Sequence, residues 1–311
     1  MSDMRHNTFD AWRAQVDAFV TRHAHMQAGE VCDWAHAVQH THAALVDEPP
    51  EVTTVRLGTC MLGFVPEDTD CLAQAWLAQA KRLGHFDLNA WPSNAQDFCV
   101  PAFPRAQAFA PCPPALGLYA VLPNAQWVAR MAHAGVPTLQ LRLKSDDAQF
   151  VQREVQAAVR AVEGTDALLF INDHWQAAIE AGAYGVHLGQ EDMADAPLER
   201  IRQAGLRLGL STHGYAEMLR ADAVSPSYLA LGAVFPTTLK RMKTAPQGLG
   251  RLRAYAKLMH HHSLVAIGGI DESTVQAVRD SGVGSIAVVR AITAAEDPVA
   301  AAHALQKLMH L

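Results

Sequence analysis

The chain has 311 residues, half of them apolar and 18% charged, with 20 glycines and 16 prolines. This composition excludes a wholly disordered or collagen-like chain, and the length suits two domains or one barrel with an extension, at roughly 150 residues per domain. The net charge is −6. With no basic block in the sequence, nucleic acid is not the expected partner, and no apolar run approaches the ~18–20 residues of a membrane-spanning helix.

Charge and cysteine are unevenly distributed. Residues 1–114 carry seven basic and thirteen acidic side chains, whereas residues 115–311 carry eighteen of each. The difference points to two units. Met1–Trp12 is polar and lacks the apolar segment of a secretory signal. All five cysteines, Cys32, Cys60, Cys71, Cys99 and Cys112, lie in the first unit, are widely spaced and contain no C-x-x-C. A zinc site or disulfide framework is therefore not expected, and reduced thiols in the cytoplasm are.

Taken in order, Thr8–His25 and Val31–Val46 read as helices, Val52–Cys60 as a strand and Asp70–Arg82 as a helix. Residues 1–100 are thus expected to form an α/β or α+β accessory unit, and they contain no recognisable chemical motif. Pro101–Pro114 holds five prolines in fourteen residues, which rules out a helix or central strand and predicts an extended linker or strap.

From residue 115 a rhythm begins. Short apolar runs occur at Gly117–Leu122, Thr138–Leu141, Leu168–Ile171, Gly185–Leu188, Leu206–Leu210, Tyr228–Leu231, Leu264–Ile267 and Ile286–Val289. Helical patterns separate most of them; in Asp146–Val162, for example, Phe150, Val151, Val155, Ala158, Val159 and Val162 share one face. Alternating buried strands and helices imply right-handed βαβ units and a parallel sheet. Eight units predict a (β/α)8 TIM barrel over 115–311, with a doubly wound open sheet as the alternative. His260-His261-His262 reads as a solvated loop.

In such a barrel the chemistry sits where the strands end. Gln140, Arg142 and Lys144 alternate to one side after the second strand, which makes a cationic anchor suited to phosphate. Asn172-Asp173 follows the third strand, and Asp192 lies in the loop after the fourth. Alone, Asp173 would read as a helix cap. Paired with Asp192 and opposed by Arg142 and Lys144, it reads better as a ligand to Mg2+, which takes one or two carboxylates plus waters and substrate phosphates. Ser211-Thr212-His213 ends the fifth strand. The long loop after the sixth, Phe235 to Gly248, carries Thr237 and Lys240 and reads as a lid. Gly268-Gly269 and Val289-Arg290 follow strands seven and eight, the usual phosphate site of this fold.

Together, the segments GLY at 117, Q-x-R-x-K at 140, IND at 171, GVHLGQED at 185, GLSTH at 209, the F-P-T-x-x-K loop at 235, APQGL at 245, AIGGI at 266 and AVV-x-AI at 287 resemble the thiamine-phosphate synthase family. The resemblance spans about residues 116–309 and none of 1–110. It implies a transferase that joins hydroxymethylpyrimidine diphosphate to a (carboxy)thiazole phosphate, releasing pyrophosphate. It further implies that Gln140, Arg142, Lys144, Asn172, Ser211 and Lys240 bind the pyrimidine diphosphate, with Arg142, Lys144 and Lys240 catalytic. Asp173 and Asp192 would hold Mg2+, and Thr237, Gly269 and Val289 would line the thiazole phosphate site. Small molecules are the implied partners, and a homo-oligomer is compatible.

Three positions depart from the family pattern. Leu143 stands where many relatives have Glu, Leu239 where many have a second Thr, and Arg290 where many have Ser. Arg290 is expected to supply the phosphate donor that Leu239 lacks. Two rival readings are a thiazole tautomerase of the same barrel family, with His213 as base, and a non-catalytic protein that binds thiamine intermediates.

Overall fold

The computed structural model describes residues 2–29, 32–41, 48–237 and 244–310. The first unit consists of helices α1 (Ser2–Arg22), α2 (Trp34–Thr41), α3 (Pro50–Met61) and α4 (Pro66–Leu83). No strand occurs among its described residues, which corrects the expected α/β or α+β character. The strand expected at Val52–Cys60 is helix α3. The run Val52-Thr53-Thr54-Val55 is β-branched and favours a strand by propensity. However, Pro50 occupies the first helical turn, and Val52 to Thr59 are all buried, so no polar stripe marks the helical period. Thr54 and Thr59 return their hydroxyls to the carbonyls of Pro50 and Val55 at 3.0 and 2.8 Å, the local bond that lets threonine sit inside a helix. Of the helix expected at 31–46, Trp34–Thr41 is observed, and residues 42–47 lie outside the described set.

The barrel is closed in the order β1 to β8, every neighbouring pair parallel. Its first half is β1 (Gly117–Leu122), α5 (Ala125–His133), β2 (Thr138–Leu141), α6 (Ala148–Val162), β3 (Leu168–Asn172), α7 (Trp175–Ala181) and β4 (Gly185–Leu188), followed by α8 (Gln190–Asp195) and α9 (Leu198–Gln203). Its second half is β5 (Arg207–Thr212), α10 (Tyr215–Ala223), β6 (Tyr228–Gly232), α11 (Gly248–Leu258), β7 (Ser263–Ile267), α12 (Val275–Arg279), β8 (Ser285–Val288), α13 (Arg290–Thr293) and α14 (Pro298–His310).

Alternation sends one set of strand side chains outward to the helices and the other inward. Tyr119, Phe170 and Tyr228 fill the interior with Val121, Ala230, Val265 and Ala287. Three large rings fit there because facing positions are glycine. A Cβ on Gly209 would stand 2.1 Å from the Tyr228 ring, and one on Gly185 would stand 2.5 Å from that of Phe170, far inside van der Waals contact.

The proline-rich segment is a strap beneath the second half of the barrel. Phe109 N–H donates to the Ser225 carbonyl, Ser227 Oγ to the Ala110 carbonyl and Ser263 Oγ to the Pro113 carbonyl, at 3.0, 2.6 and 2.7 Å. Arg105 pairs with Asp222 at 2.9 Å, and Asp222 also binds His262 Nε2 at 2.7 Å. His262 is therefore buried, contrary to a fully solvated histidine loop; its neighbours His260 and His261 are exposed.

The helical unit docks near the opposite end, against the starts of α10 and α11. Asp68 of α4 accepts the Ala216 N–H at 2.8 Å, acting as the N-cap that Gly214 has no side chain to supply. A Cβ on Gly214 would collide with the Asp68 carboxylate at 2.0 Å. Arg251 of α11 donates to the Met26 and Leu62 carbonyls, both at 2.8 Å, and lies 3.5 Å over the Phe64 ring.

Candidate active site at the strand C-termini

Inward alternation carries Gln140, Asn172, His187 and Ser211 to the C-terminal ends of β2, β3, β4 and β5. Gln140, Asn172 and His187 are buried, and Ser211 is half-buried. Arg142 follows β2 half-buried, and Lys144 is exposed. Asp173 takes a left-handed φ of +62°, uncommon for a non-glycine residue. Its carboxylate accepts a hydrogen bond from Asn172 Nδ2 at 2.5 Å. It does not cap α7, whose N-cap is His174 with no side-chain bond. Partial burial pushes the Asp173 carboxyl above its ordinary range, and the charge of Asp192 adds to this, while Arg142 and His174 oppose it. The structure thus brings Arg142, Asp173 and Asp192 within electrostatic reach across three strand ends.

Asp192 lies in the first turn of α8. A Cβ on Gly189 would stand 2.9 Å from its Oδ2, so the bare glycine lets this carboxylate fold back toward the strand end. No group of three or more His, Cys, Asp or Glu side chains that could hold a metal occurs among the described residues. An ion here would have two protein carboxylates and would take its other ligands from water and substrate.

On the opposite side of the mouth, the loops after β6 and β7 are laced together. Val234 N–H donates to the Ile267 carbonyl and Phe235 N–H to that of Gly268, both at 2.9 Å. Gly269 has φ +66°, and a Cβ on it would stand 2.7 Å from the Pro236 carbonyl. Both its conformation and this close approach require glycine. Thr237 is half-buried, while Leu239 and Lys240 lie outside the described residues. Val289 is half-buried against the interior cluster and precedes α13. Arg290 opens α13 and is exposed.

His213 is bound to Glu217, with Nδ1 2.6 Å from Oε2 and its backbone N–H 2.9 Å from the same oxygen. Burial works against the Glu217 charge, but these hydrogen bonds and the imidazole outweigh it and hold the carboxyl below its usual range. Sequence reasoning did not single out His187, Tyr119 or Tyr228. Their signal was parity: each shares the inward face of its strand with a residue that was noticed, or with the barrel filling.

The thiamine monophosphate synthase family model matches residues 118–292, more than half of the chain. A thiamine-phosphate synthase of Neisseria meningitidis is 55% identical over 200 residues, covering 64% of this chain and 98% of that protein. One from Serratia proteamaculans is 51% identical over 201 residues, covering 65% and 95%. Among solved structures, a thiamine phosphate pyrophosphorylase from Pyrococcus furiosus is similar at 30% identity and a TM-score of 0.56, over 63% of this chain and 96% of that one. With this barrel, these strand-end residues and this degree of identity, the chain belongs to the thiamine monophosphate synthase family.

Proposed function

We propose that this protein is the thiamine-phosphate synthase its relatives are named for. It would join an aminopyrimidine diphosphate to a thiazole phosphate, forming thiamine phosphate and pyrophosphate. The observation that carries this reading is the convergence of Arg142, Asn172, Asp173 and Asp192 on one side of the barrel mouth, with glycine-built loops after β6 and β7 on the other.

The donor set fits magnesium: the Asp173 carboxyl is raised first by burial and further by the charge of Asp192, and the two carboxylates supply hard oxygen ligands to a cation that accepts few from protein. Asp173 and Asp192 would hold the ion, which when bound neutralises charge on the pyrophosphate. Arg142 and Lys144 would bind the diphosphate oxygens, with Lys240 as a third cation toward them. As the carbon–oxygen bond breaks, these cations stabilise the leaving group. The pyrimidine cation left behind is stabilised by its ring amine, and Gln140, Asn172 and Ser211 orient the ring. The thiazole nitrogen then attacks. Its phosphate is held by Thr237, by the Gly269 and Val289 backbone and by Arg290, whose exposed start of α13 leaves the guanidinium able to reach a phosphate. No protein nucleophile is required, and alignment of the two substrates supplies much of the remaining rate.

Residues 115–311 we assign as the catalytic barrel, 101–114 as a strap and 1–100 as an accessory unit. Five free cysteines fit a reducing cytoplasm, and no helix among the described residues is long and apolar enough to cross a membrane. The test is incubation of the full chain with both substrates and Mg2+, measuring thiamine phosphate and pyrophosphate. Absence of product with both the carboxylated and uncarboxylated thiazole phosphates would overturn the assignment.

A further inference from the structure

We propose that Tyr119, Tyr228 and His187 are positioning residues that determine which groups of Gln140 and Ser211 donate and which accept hydrogen bonds, and so select a pyrimidine bearing an amino group. The proposal rests on the reading of Gln140 and Ser211 as pyrimidine-binding residues.

A chain of hydrogen bonds crosses the barrel interior between these two residues, and the Gln140 amide also donates to Tyr228. Gln140 Nε2 lies 3.1 Å from the Tyr119 hydroxyl, which lies 2.8 Å from that of Tyr228. The Tyr228 hydroxyl lies 2.7 Å from His187 Nδ1, and His187 Nε2 lies 2.8 Å from Ser211 Oγ. Tyr119 and Tyr228 are 1% and 0% exposed, so water does not reset the direction of the chain. Burial holds both phenols well above their ordinary pKa, which keeps them as neutral hydroxyls with one proton each to give.

The direction follows from the first link. An amide nitrogen has only hydrogens to offer, so the Tyr119 oxygen accepts and passes its own proton to Tyr228. Tyr228 in turn donates to His187 Nδ1. A neutral imidazole that accepts at Nδ1 carries its proton on Nε2 and donates it to Ser211 Oγ. The Ser211 oxygen is then occupied as an acceptor, and its hydroxyl proton turns to the mouth. At the other end, the Gln140 carbonyl oxygen remains an acceptor. A ligand that meets both ends must accept from Ser211 and donate to Gln140. A ring nitrogen and an exocyclic amine do this, whereas an oxo group in place of the amine sets acceptor against acceptor. With the Gln140 amide reversed, every link reverses and His187 carries its proton on Nδ1. The tautomer of His187 therefore reports the polarity of the whole chain.

Two measurements on the full-length protein test the proposal. Nitrogen-15 NMR of histidine-labelled protein, with His187 assigned by its loss in His187→Asn, should show the Nε2–H tautomer. An Nδ1–H tautomer would overturn the relay. Steady-state kinetics of Tyr228→Phe should show the KM for the aminopyrimidine diphosphate raised about tenfold, the equivalent of roughly 1.4 kcal/mol, with that for thiazole phosphate little changed. Tyr119→Phe should cost less, because Tyr228 can still donate to His187. Equal losses in the two variants, or parallel changes in both KM values, would also overturn it. In Gln140→Ala, an unchanged KM for the diphosphate would defeat the pyrimidine-site reading itself, a result separate from the tautomer.

Discussion

Replacing Asp68 by asparagine should stabilise the protein at neutral pH. The Asp68 carboxyl is buried between the helical unit and α10, and desolvation is the main cause that raises its pKa from 3.8 to about 6. Glu217 and Glu67 push in the same direction, whereas the Ala216 N–H and Arg251 oppose it. Because the folded pKa exceeds the unfolded one, the folded state binds the proton more tightly. The contribution of Asp68 to stability is then greatest below pH 3.8, falls as pH rises toward about 6, and levels off above that. A difference of about two pH units corresponds to roughly 3 kcal/mol at pH 7.5 and about half that at pH 5. This figure already contains the attraction of Arg251, since that charge is part of what sets the folded pKa. Asparagine keeps an oxygen for the Ala216 N–H, at 2.8 Å in the parent, and cannot ionise. Urea unfolding at pH 5 and pH 7.5 should show the advantage of Asp68→Asn growing with pH. A variant less stable than the parent at pH 7.5 would refute the reasoning, because the carboxylate would then gain more from Arg251 than it loses by burial.

Asp192→Ala should lower kcat strongly and weaken diphosphate binding; parent-like turnover at saturating Mg2+ would remove the metal assignment. Lys240→Ala should reduce kcat more than it raises KM for the diphosphate, because its contact strengthens as charge develops on the leaving group; a change confined to KM would show a purely binding role. Gly209→Ala should destabilise the barrel by about 1–3 kcal/mol through overpacking, since its Cβ would stand 2.1 Å from the Tyr228 ring; an unchanged melting temperature would contradict the packing described.

All eight strands were legible because each is a short apolar run between helical patterns, and their observed bounds differ from the sequence reading by only a residue or two. Gln140 and Arg142 were legible for a related reason: polar residues placed two apart at the end of such a run share one side of the strand. Helix α3 was not, because its β-branched run and all-round burial remove the signals of a helix. Nor was the docking of the first unit. Arg251 recognises the backbone carbonyls of Met26 and Leu62, which any residue would present, and Asp68 caps a helix 148 positions away. His262 was misread because its partner Asp222 lies on α10, 40 residues distant.

Among the described residues, most of the hydrogen bonds and ion pairs that tie the first hundred or so residues to the barrel lie on one side of it. Asp68 to Ala216, Arg251 to Met26 and Leu62, Trp91 to Tyr215, Arg105 to Asp222 and the strap bonds to Ser225, Ser227 and Ser263 all fall between β5 and β7 or on the helices beside them. Opening that quarter-turn of the wall requires these bonds to break together, whereas opening β1 to β4 leaves them intact. Amide protons of β5 to β7 should therefore be the last to exchange with solvent, with the β1–β4 arc the first part of the wall to loosen. Gln140, Asn172 and Asp173 are set in the β1–β4 arc and Ser211 in the clamped one, so the two ends of the mouth should differ in stiffness.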